Sequence, residues 1–198
     1  MELDFYFDFG SPASYLAYKR LRQLESKYDL TVHWLPMLLG GVFKATGNVS
    51  PVTVAAKGNY MVSQDFPRFA KRYSVPMRFN PYFPINTLNL MRGAVAAQEE
   101  GVFDRYADAV FDAMWQEQLD LGQVDVVVKT LQNAGLDAMA LLELTQSDAI
   151  KQTLIANTNQ AIDRGVFGAP TMFVGDEMYF GQDRLDFIEA DLKADRGS

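Results

Sequence analysis

Hydrophobic residues alternate with polar ones near the start of the chain, and this pattern predicts a first strand over residues 3–7. An apolar stripe with helical spacing follows over residues 11–28. Pro12 suits the first turn of this helix, where a missing N–H is no loss. A second strand is predicted over residues 31–35 and ends at Pro36. A strand, a helix and a strand in immediate succession form a βαβ unit, so we expect the two strands to be parallel.

The middle of the chain has the spacing of helices and contains no convincing strand. The glycine-rich segment 39–48 ends in Gly-Asn, which favours a loop. The clearest helix carries one apolar and aromatic stripe, made of Phe103, Tyr106, Ala107, Val110, Phe111, Met114 and Trp115 and extended by Gln118. The other predicted helices cover residues 54–73, 87–100, 124–134, 137–145 and 148–164. Pro67 is expected to bend the first of these, and the prolines within residues 76–84 predict an irregular loop.

Two short strands are predicted near the end of the chain. Residues 171–174 and 178–180 flank a Gly-Asp pair, which favours a tight turn, so we expect an antiparallel hairpin. Asp183 is expected to cap a last helix over residues 184–193.

Strands at both ends with helices between them define the expected architecture. It is an α/β fold in which a thioredoxin-like βαβ…ββα core, residues 1–39 and 165–198, is interrupted by an all-helical insertion of residues 40–164. In a thioredoxin-like fold, the loop after the first strand and an X-Pro-Thr before a later strand build the thiol site. Here these segments contain Ser11 and Ala169-Pro170-Thr171, with serine where redox members carry cysteine.

The composition excludes several classes of function. A formal net charge of −7 argues against nucleic-acid binding, which needs a basic surface. The chain has no cysteine, which excludes a disulfide oxidoreductase and thiolate metal sites. The single histidine, His33, alternates with Val32 and Trp34 on a predicted strand, and we expect it to be structural. No metal site is predicted.

Targeting and membrane signals are also missing from the sequence. The opening Met1-Glu2-Leu3-Asp4-Phe5 lacks the basic segment of a signal peptide. No apolar run approaches the ~18 residues that a membrane span needs. We therefore expect a soluble, cytoplasmic protein.

Ser11 stands at the predicted start of the first helix, and two interpretations fit it. Serine is a favoured helix cap, worth about 1 kcal/mol. In the other interpretation, the Ser11 hydroxyl and the first helical N–H groups face an anion such as a thiolate. Gly10 leaves room for a ligand, and Ser14 is expected to cap the helix equally well, which favours the second. Lowering a thiol pKa from ~8.5 to ~6.5 takes about 2.7 kcal/mol, and one charged hydrogen bond with the helix terminus supplies this.

Four separated segments resemble one known family. They are Asp8-Phe9-Gly10-Ser11-Pro12-Ala13-Ser14-Tyr15-Leu16, Gly41-Val42-Phe43-Lys44-Ala45-Thr46-Gly47-Asn48, Val166-Phe167-Gly168-Ala169-Pro170-Thr171 and Phe180-Gly181-Gln182-Asp183-Arg184. In this order they resemble kappa-class glutathione transferases and, more closely, their bacterial branch, the 2-hydroxychromene-2-carboxylate isomerases. Ala13 departs from the family, which often has an aromatic residue after the proline.

The resemblance implies that glutathione is the cofactor and that Ser11 is the catalytic residue that keeps its sulfur as a thiolate. It also implies a cis peptide bond before Pro170, which lets Ala169 pair with the backbone of the tripeptide. The other implied glutathione contacts are Asn48, Phe180, Gly181, Gln182 and Asp183. Lys44 is expected to face the carboxylate or enolate of the substrate, and Phe83 to pack against its aromatic ring.

The residues alone leave ordinary roles open for several of these positions. Pro170 could simply begin a strand, and Asn48 could be a left-handed turn residue. Lys44 could be a solvated surface lysine, and Phe83 could belong to the core or to an interface.

The leading hypothesis is a glutathione-dependent cis-trans isomerase of 2-hydroxychromene-2-carboxylate-like aromatic acids in aromatic catabolism. One alternative is a kappa-class transferase or peroxidase that consumes glutathione. The other is a non-catalytic thioredoxin-like module that binds thiols or a partner. The aromatic helical insertion and the resemblance also predict a homodimer.

Overall fold

The computed structural model describes residues 1–195 as a mixed sheet of four strands surrounded by helices. In chain order the elements are β1 Glu2–Phe7, α1 Pro12–Lys27, β2 Thr31–Pro36, α2 Leu39–Thr46, α3 Ala55–Tyr60, α4 Phe66–Tyr73, α5 Leu88–Glu99, α6 Phe103–Trp115, α7 Val124–Asn133, α8 Ala138–Leu144, α9 Asp148–Asp163, β3 Thr171–Val174, β4 Glu177–Phe180 and α10 Leu185–Asp195. Single 3₁₀ turns occur at Pro51–Thr53 and Gln182–Arg184.

The sheet has the strand order β2-β1-β3-β4. The pair β1 and β2 is parallel, while β3 runs antiparallel to both β1 and β4. Phe5 lies opposite Trp34 on one side and opposite Met172 on the other. The βαβ unit, the C-terminal hairpin and the α/β thioredoxin-like fold class are therefore confirmed.

Both faces of the sheet are buried, which explains the aromatic content of β1. Leu3, Phe5 and Phe7 point into the large core beneath α1, α5 and α6. On the opposite face Tyr6 belongs to a second, smaller core cluster with Met37, Val42, Ala161, Val166 and Phe173. Asp4 shares that face and pairs with Arg164 at 2.6 Å.

The glycine-rich segment 39–48 is a helix for most of its length, so the loop prediction was wrong. The apolar residues of this segment stabilise the helix, because Val42 is fully buried against α9 and Leu39 packs at the edge of the same cluster. Gly41 permits this close approach, since a Cβ there would lie 3.2 Å from the Thr158 methyl group. The helix ends at Gly47, whose φ of 69° is the left-handed conformation that glycine adopts freely.

The predicted helix 54–73 is interrupted as Pro67 suggested. Between α3 and α4 the segment Met61–Asp65 forms a π turn. Proline has no N–H to give to the carbonyl of Ser63, so the regular hydrogen-bond ladder cannot continue there. The break lies just before α4.

The last helix begins later than predicted. Asp183 was expected to be its cap, but it lies inside the 3₁₀ turn Gln182–Arg184, which precedes α10. Its carboxylate pairs with Arg184 at 2.6 Å. The capping prediction for Asp183 was therefore wrong.

The remaining helices agree with their predicted positions, except that α6 ends at Trp115, and residues 76–84 have no regular structure. Gln118 was predicted to extend the stripe of α6, but this was wrong, because Gln118 lies beyond the helix with a φ of 60°. The aromatic stripe of α6 is core, since Phe111 and Trp115 are fully buried within the same chain. This stripe therefore gives no support to a dimer surface.

Within residues 1–195, no helix has both the length and the apolar character to cross a membrane. The proposed division at residues 40 and 164 stays a prediction, and residues 196–198 of its last segment lie outside the described residues.

Candidate functional site

Ser11 lies where the loop after β1 meets the start of α1, and it is 5% exposed. Its hydroxyl oxygen accepts a hydrogen bond from the Ser14 N–H at 3.1 Å. The same hydroxyl donates to the carbonyl oxygen of Ala169 at 3.0 Å. Ser11 thus joins the two segments that the sequence analysis singled out, although they are 158 residues apart in the chain.

Ser11 is the N-cap of α1, so the expectation that Ser14 makes this cap unnecessary was wrong. Ser14 is fully buried, and its hydroxyl has no hydrogen-bond partner within the described structure. The cap does not compete with a chemical role for Ser11. The cap uses a lone pair of the oxygen and fixes its position, while the hydroxyl proton remains available to an acceptor.

A cavity of ≈ 340 Å³ opens beside Ser11. This volume falls within the range of sites for small molecules. One wall is apolar and comes from Leu39, Phe43, Val52, Met61 and Phe66. The cavity also reaches Ala13. The N–H of Ala13 belongs to the first turn of α1, and it donates no hydrogen bond to any acceptor within residues 1–195.

The edge of the cavity next to Ser11 is formed by Gly168, Ala169 and Pro170. The Ala169–Pro170 peptide bond is cis, as predicted. Pro170 also accepts a backbone hydrogen bond from Gly181 at 3.0 Å, which ties this edge to the end of β4. Ala169 is only partly buried, so its backbone is reachable from the cavity.

The far end of the cavity is polar and is built around Gln182, which is 5% exposed. The side-chain amide of Gln182 donates to the Asp65 carboxylate at 3.3 Å, and the backbone carbonyl of Gln182 accepts from the Tyr73 hydroxyl at 2.7 Å. Asp183 and Arg184 line the same end. Burial, and secondly repulsion from the Asp183 carboxylate, raise the pKa of Asp65 above its ordinary value of 3.8. This end therefore carries negative charge that the neighbouring residues only partly compensate.

Sequence reasoning missed Asp65, Phe43, Met61 and Phe66 as residues of the cavity. Met61 at the start and Asp65 at the end of the π turn before Pro67 both line the cavity. A proline inside a helical pattern was the available signal, since π turns are frequent at functional sites. The contact between Asp65 and Gln182 joins residues 117 positions apart, and nothing in the local sequence indicates it.

Asn48 and Phe180 lie at the mouth of the cavity. The Asn48 amide donates to the Phe167 carbonyl at 2.8 Å, so this residue links the end of α2 to the segment before Pro170. The left-handed turn residue is Gly47 and not Asn48. The Phe180 ring packs against Phe167 with ring centroids 4.5 Å apart. A Cβ on Gly168 would approach that ring to 2.8 Å, so this position needs glycine.

The structure does not bring two predicted substrate contacts into the cavity. Lys44 is exposed on α2, one residue after Phe43, and is not among the lining residues. Phe83 packs against Phe79 and Trp115 at ring distances of 5.3 and 6.1 Å. The roles predicted for both in substrate binding stay predictions.

His33 is remote from the cavity and pairs with Glu2 at 2.6 Å on the exposed edge of the sheet, which agrees with a structural role. Among residues 1–195, no cluster of three or more histidine, aspartate and glutamate side chains is arranged to hold a metal ion.

The cavity combines a fixed hydroxyl, an accessible backbone edge, an apolar wall and an acidic end. These features suit a short peptide-like thiol that lies along the Ala169 edge with its sulfur at Ser11. The model of the DSBA-like thioredoxin domain matches residues 2–193 of the chain. The chain belongs to the DSBA-like thioredoxin family.

Within this family the chain resembles enzymes with glutathione or isomerase in their names. A 2-hydroxychromene-2-carboxylate isomerase from Pseudomonas putida is 37% identical over 194 residues, which cover 96% of this chain and 93% of that protein. Glutathione S-transferase kappa 1 from Caenorhabditis elegans is 29% identical over 204 residues, covering 96% and 89%. A solved structure of a 2-hydroxychromene-2-carboxylate isomerase superposes with a TM-score of 0.88 at 34% identity, covering 98% of this chain and 95% of the other. The resemblance drawn from the four segments is confirmed.

Proposed function

We propose that the chain is a glutathione-dependent isomerase of 2-hydroxychromene-2-carboxylate-like aromatic acids. The observation that carries the proposal is the Ser11 hydroxyl, held between the Ser14 N–H and the Ala169 carbonyl beside an apolar wall. The 37% identity to a protein named as such an isomerase supports the choice of reaction. We further propose that the enzyme is soluble, cytoplasmic and dimeric.

Ser11 and Ala169 together fit the cysteinyl part of glutathione. The Ala169 carbonyl has two lone pairs and can accept the amide N–H of an extended peptide laid along this edge. The Ser11 hydroxyl, which donates to that carbonyl at 3.0 Å, can then turn its proton toward a sulfur at the same site. A hydrogen bond to a charged acceptor contributes about 1.5–3 kcal/mol, and the N-terminus of α1 adds about 0.3–1 kcal/mol. Their sum reaches the ~2.7 kcal/mol that lowers a thiol pKa from ~8.5 to ~6.5.

The acidic end fits the γ-glutamyl group. The pKa of Asp65 is raised by burial and by the nearby Asp183 carboxylate, so a positively charged amino group here would relieve an unfavourable arrangement. Arg184 lines the same end and can pair with the neighbouring carboxylate of the ligand. Gln182, Gly181, Phe180 and Asn48 complete the proposed glutathione contacts.

The apolar wall fits the aromatic substrate. Phe43, Met61 and Phe66 form a surface beside Ser11 against which a flat ring can pack. Glutathione, when bound, would supply a thiolate nucleophile for the conjugated system of the substrate, which is the chemistry that allows the ring to open and a bond to rotate. The residues of this chain therefore have to orient the ring, exclude water and stabilise negative charge at Ser11. Lys44 and Phe83 remain proposed substrate contacts that need a movement of their segments.

The test is an isomerase assay with and without glutathione on wild type and on two serine variants. We expect the rate to rise with glutathione and the Ser11→Ala variant to lose most of kcat. Ser14→Ala is the matched control, because it removes a hydroxyl from the same helical turn that has no partner. We expect Ser14→Ala to keep wild-type activity. A Ser11→Ala enzyme as fast as Ser14→Ala would contradict the proposal.

Product mass separates the alternatives. An isomer with the mass of the substrate supports the proposed reaction, while a product heavier by one glutathione indicates a kappa-class transferase. Glutathione binding without turnover of any electrophilic aromatic acid indicates a binding module. Light scattering on the purified protein tests the proposed dimer.

A further inference from the structure

One buried carboxylate lies outside the cavity and yet contacts three segments around it. Asp8 is 2% exposed and is not among the residues that line the cavity. Its Oδ1 accepts the Gly10 N–H at 2.9 Å and the Thr87 hydroxyl at 2.7 Å, and its Oδ2 accepts the Leu39 N–H at 2.9 Å. These donors belong to the loop before α1, to the start of α5 and to the start of α2.

Residues 8–11, the loop that leads into Ser11, make several such hydrogen bonds. The Ser11 N–H donates to the backbone oxygen of Asp8 at 3.0 Å, and the Gly10 N–H donates to its side chain. The Phe9 N–H contacts the Met91 sulfur at 3.3 Å, and the Phe9 carbonyl accepts from the Trp115 indole at 2.8 Å. The helical insertion therefore supplies partners for the peptide groups that lead into Ser11.

Thr87 connects the start of α5 to Asp8. It occupies the N-cap position of α5, where threonine usually accepts a backbone N–H from the first turn. Its side chain makes no cap hydrogen bond, and its hydroxyl donates to Asp8 instead. The site is also crowded, since a Cβ on Gly10 would lie 3.1 Å from the Thr87 methyl group. The Thr87 hydroxyl thus joins the helical insertion to the Ser11 loop.

The same carboxylate sets the position of the apolar wall. Leu39 is the first residue of α2, and its N–H is held by Asp8, while the preceding Leu38 N–H donates to Thr158 at 3.0 Å. Leu39 and Phe43 of this helix line the cavity. The Asp8 side chain thus connects the loop that holds the Ser11 hydroxyl to the helix that supplies part of the apolar wall.

We propose that Asp8 and Thr87 are positioning residues that hold the Ser11 hydroxyl and the first turn of α2 in the relation that glutathione activation requires. This inference rests on the proposed function. The two residues touch neither glutathione nor substrate, and they act through the backbone of Gly10, Ser11 and Leu39. A role in activation predicts an effect on the ionisation of the bound thiol that exceeds any effect on binding.

The experiment compares Thr87→Val with Thr87→Ser. Valine keeps the shape of threonine and removes the donor to Asp8, while serine keeps the donor. The first readout is the ionisation of the thiol of enzyme-bound glutathione, followed by the ultraviolet absorption of the thiolate as pH is raised. The second is the affinity for S-methylglutathione, which has no ionisable thiol, measured by calorimetry.

For Thr87→Val we expect the equilibrium constant for thiolate formation to fall about fivefold. This is part of the roughly tenfold to hundredfold effect that a whole hydrogen bond to a charged acceptor has. The affinity for S-methylglutathione should change by less than about twofold, and Thr87→Ser should match wild type in both readouts. If Thr87→Val does not fold, Thr87→Ala serves in its place, because the smaller side chain avoids an apolar group against the carboxylate.

Two results would overturn the inference. One is a wild-type ionisation constant in the Thr87→Val or Thr87→Ala protein. The other is an equal loss of thiolate formation and of S-methylglutathione affinity, which is the sign of general damage to the site. If the wild-type protein itself binds no glutathione, or binds it with an ordinary thiol pKa, the proposed function fails and this inference fails with it.

Discussion

The hydroxyl of Ser11 donates to the carbonyl of Ala169 at 3.0 Å, and this hydrogen bond joins residues that are 158 positions apart in the chain. Ser11 follows β1, while Ala169 precedes β3, which pairs with β1 in the sheet. The Ala169 carbonyl thus accepts a hydrogen bond from the hydroxyl that we propose to donate to a bound sulfur. A tripeptide that pairs with Ala169 through its own amide N–H offers that carbonyl another donor. Under the proposed function, binding of the peptide backbone and activation of its sulfur would be coupled through the Ser11 hydroxyl.

Asp65 is predicted to recognise the amino group of glutathione. Replacing it by asparagine removes the charge and keeps the size, so we expect the affinity for glutathione to fall about tenfold, as for the loss of a charged hydrogen bond. The affinity for a glutathione analogue without its α-amino group should not change. Asp176→Asn, in the exposed turn between β3 and β4, is the control. Calorimetry that shows equal losses for both ligands would contradict this role for Asp65.

The pH dependence of glutathione binding should report the same residue. In the free protein, burial and the Asp183 carboxylate raise the pKa of Asp65 above 3.8. A bound ammonium group favours the carboxylate and lowers this pKa, so the complex holds fewer protons on Asp65 than the free protein does. Affinity should therefore increase as pH rises through the raised pKa and then level off. The affinity of the Asp65→Asn variant for glutathione should not show this rise with pH. An identical pH profile of affinity in the variant and the wild type would show that another group causes the rise.

Phe43 is predicted to contact the aromatic substrate. Phe43→Ala removes a large part of the apolar wall, and we expect the KM for the aromatic acid to rise about tenfold, as for the loss of ~1.5 kcal/mol of apolar contact. The affinity for glutathione should stay within about twofold of wild type. Phe187, which is 59% exposed on α10 and does not line the cavity, provides the matched Phe→Ala control. Steady-state kinetics in which both variants behave alike would exclude Phe43 from the substrate site.

The two glycines inside α2 should respond in opposite directions to alanine. Gly40 is exposed, and a Cβ there meets nothing within 4 Å, so Gly40→Ala should stabilise the protein by about 0.5–1 kcal/mol. A Cβ on Gly41 lies 3.2 Å from the Thr158 methyl group. Thr158 cannot move easily, because its hydroxyl bonds to both Leu38 and Leu154. We expect Gly41→Ala to lower the free energy of unfolding by about 1 kcal/mol. Denaturant unfolding measures both values, and stabilisation by Gly41→Ala would contradict the packing described for α2.

The sequence was sufficient for the features that depend on local pattern. Alternation in β1, the stripe of α1 and the Gly-Asp turn led to the βαβ unit and the hairpin, and both are present. It was insufficient for α2, where tertiary packing of Val42 overrides the glycines, and for Asp183, which lies in a turn that the periodicity does not show.

The residues of the candidate site also fall into those that local sequence motifs indicate and those that only tertiary contacts reveal. Ser11, Ala169 and Gln182 lie in short motifs with recognisable residue types, so the sequence alone indicated them. Asp65 and Thr87 reach the site region through contacts across 117 and 79 residues. No local pattern marks such residues, because their roles arise only when separate helices pack together.

We propose that Ser11 keeps a bound glutathione sulfur anionic near neutral pH. The most direct measurement is the ultraviolet titration of the thiol of enzyme-bound glutathione in wild type and Ser11→Ala. We expect a thiol pKa near ~6.5 in the wild-type complex and a return toward ~8.5 in the variant. A thiol pKa that is the same in both complexes, or that stays near ~8.5 in the wild-type complex, would contradict this role of Ser11.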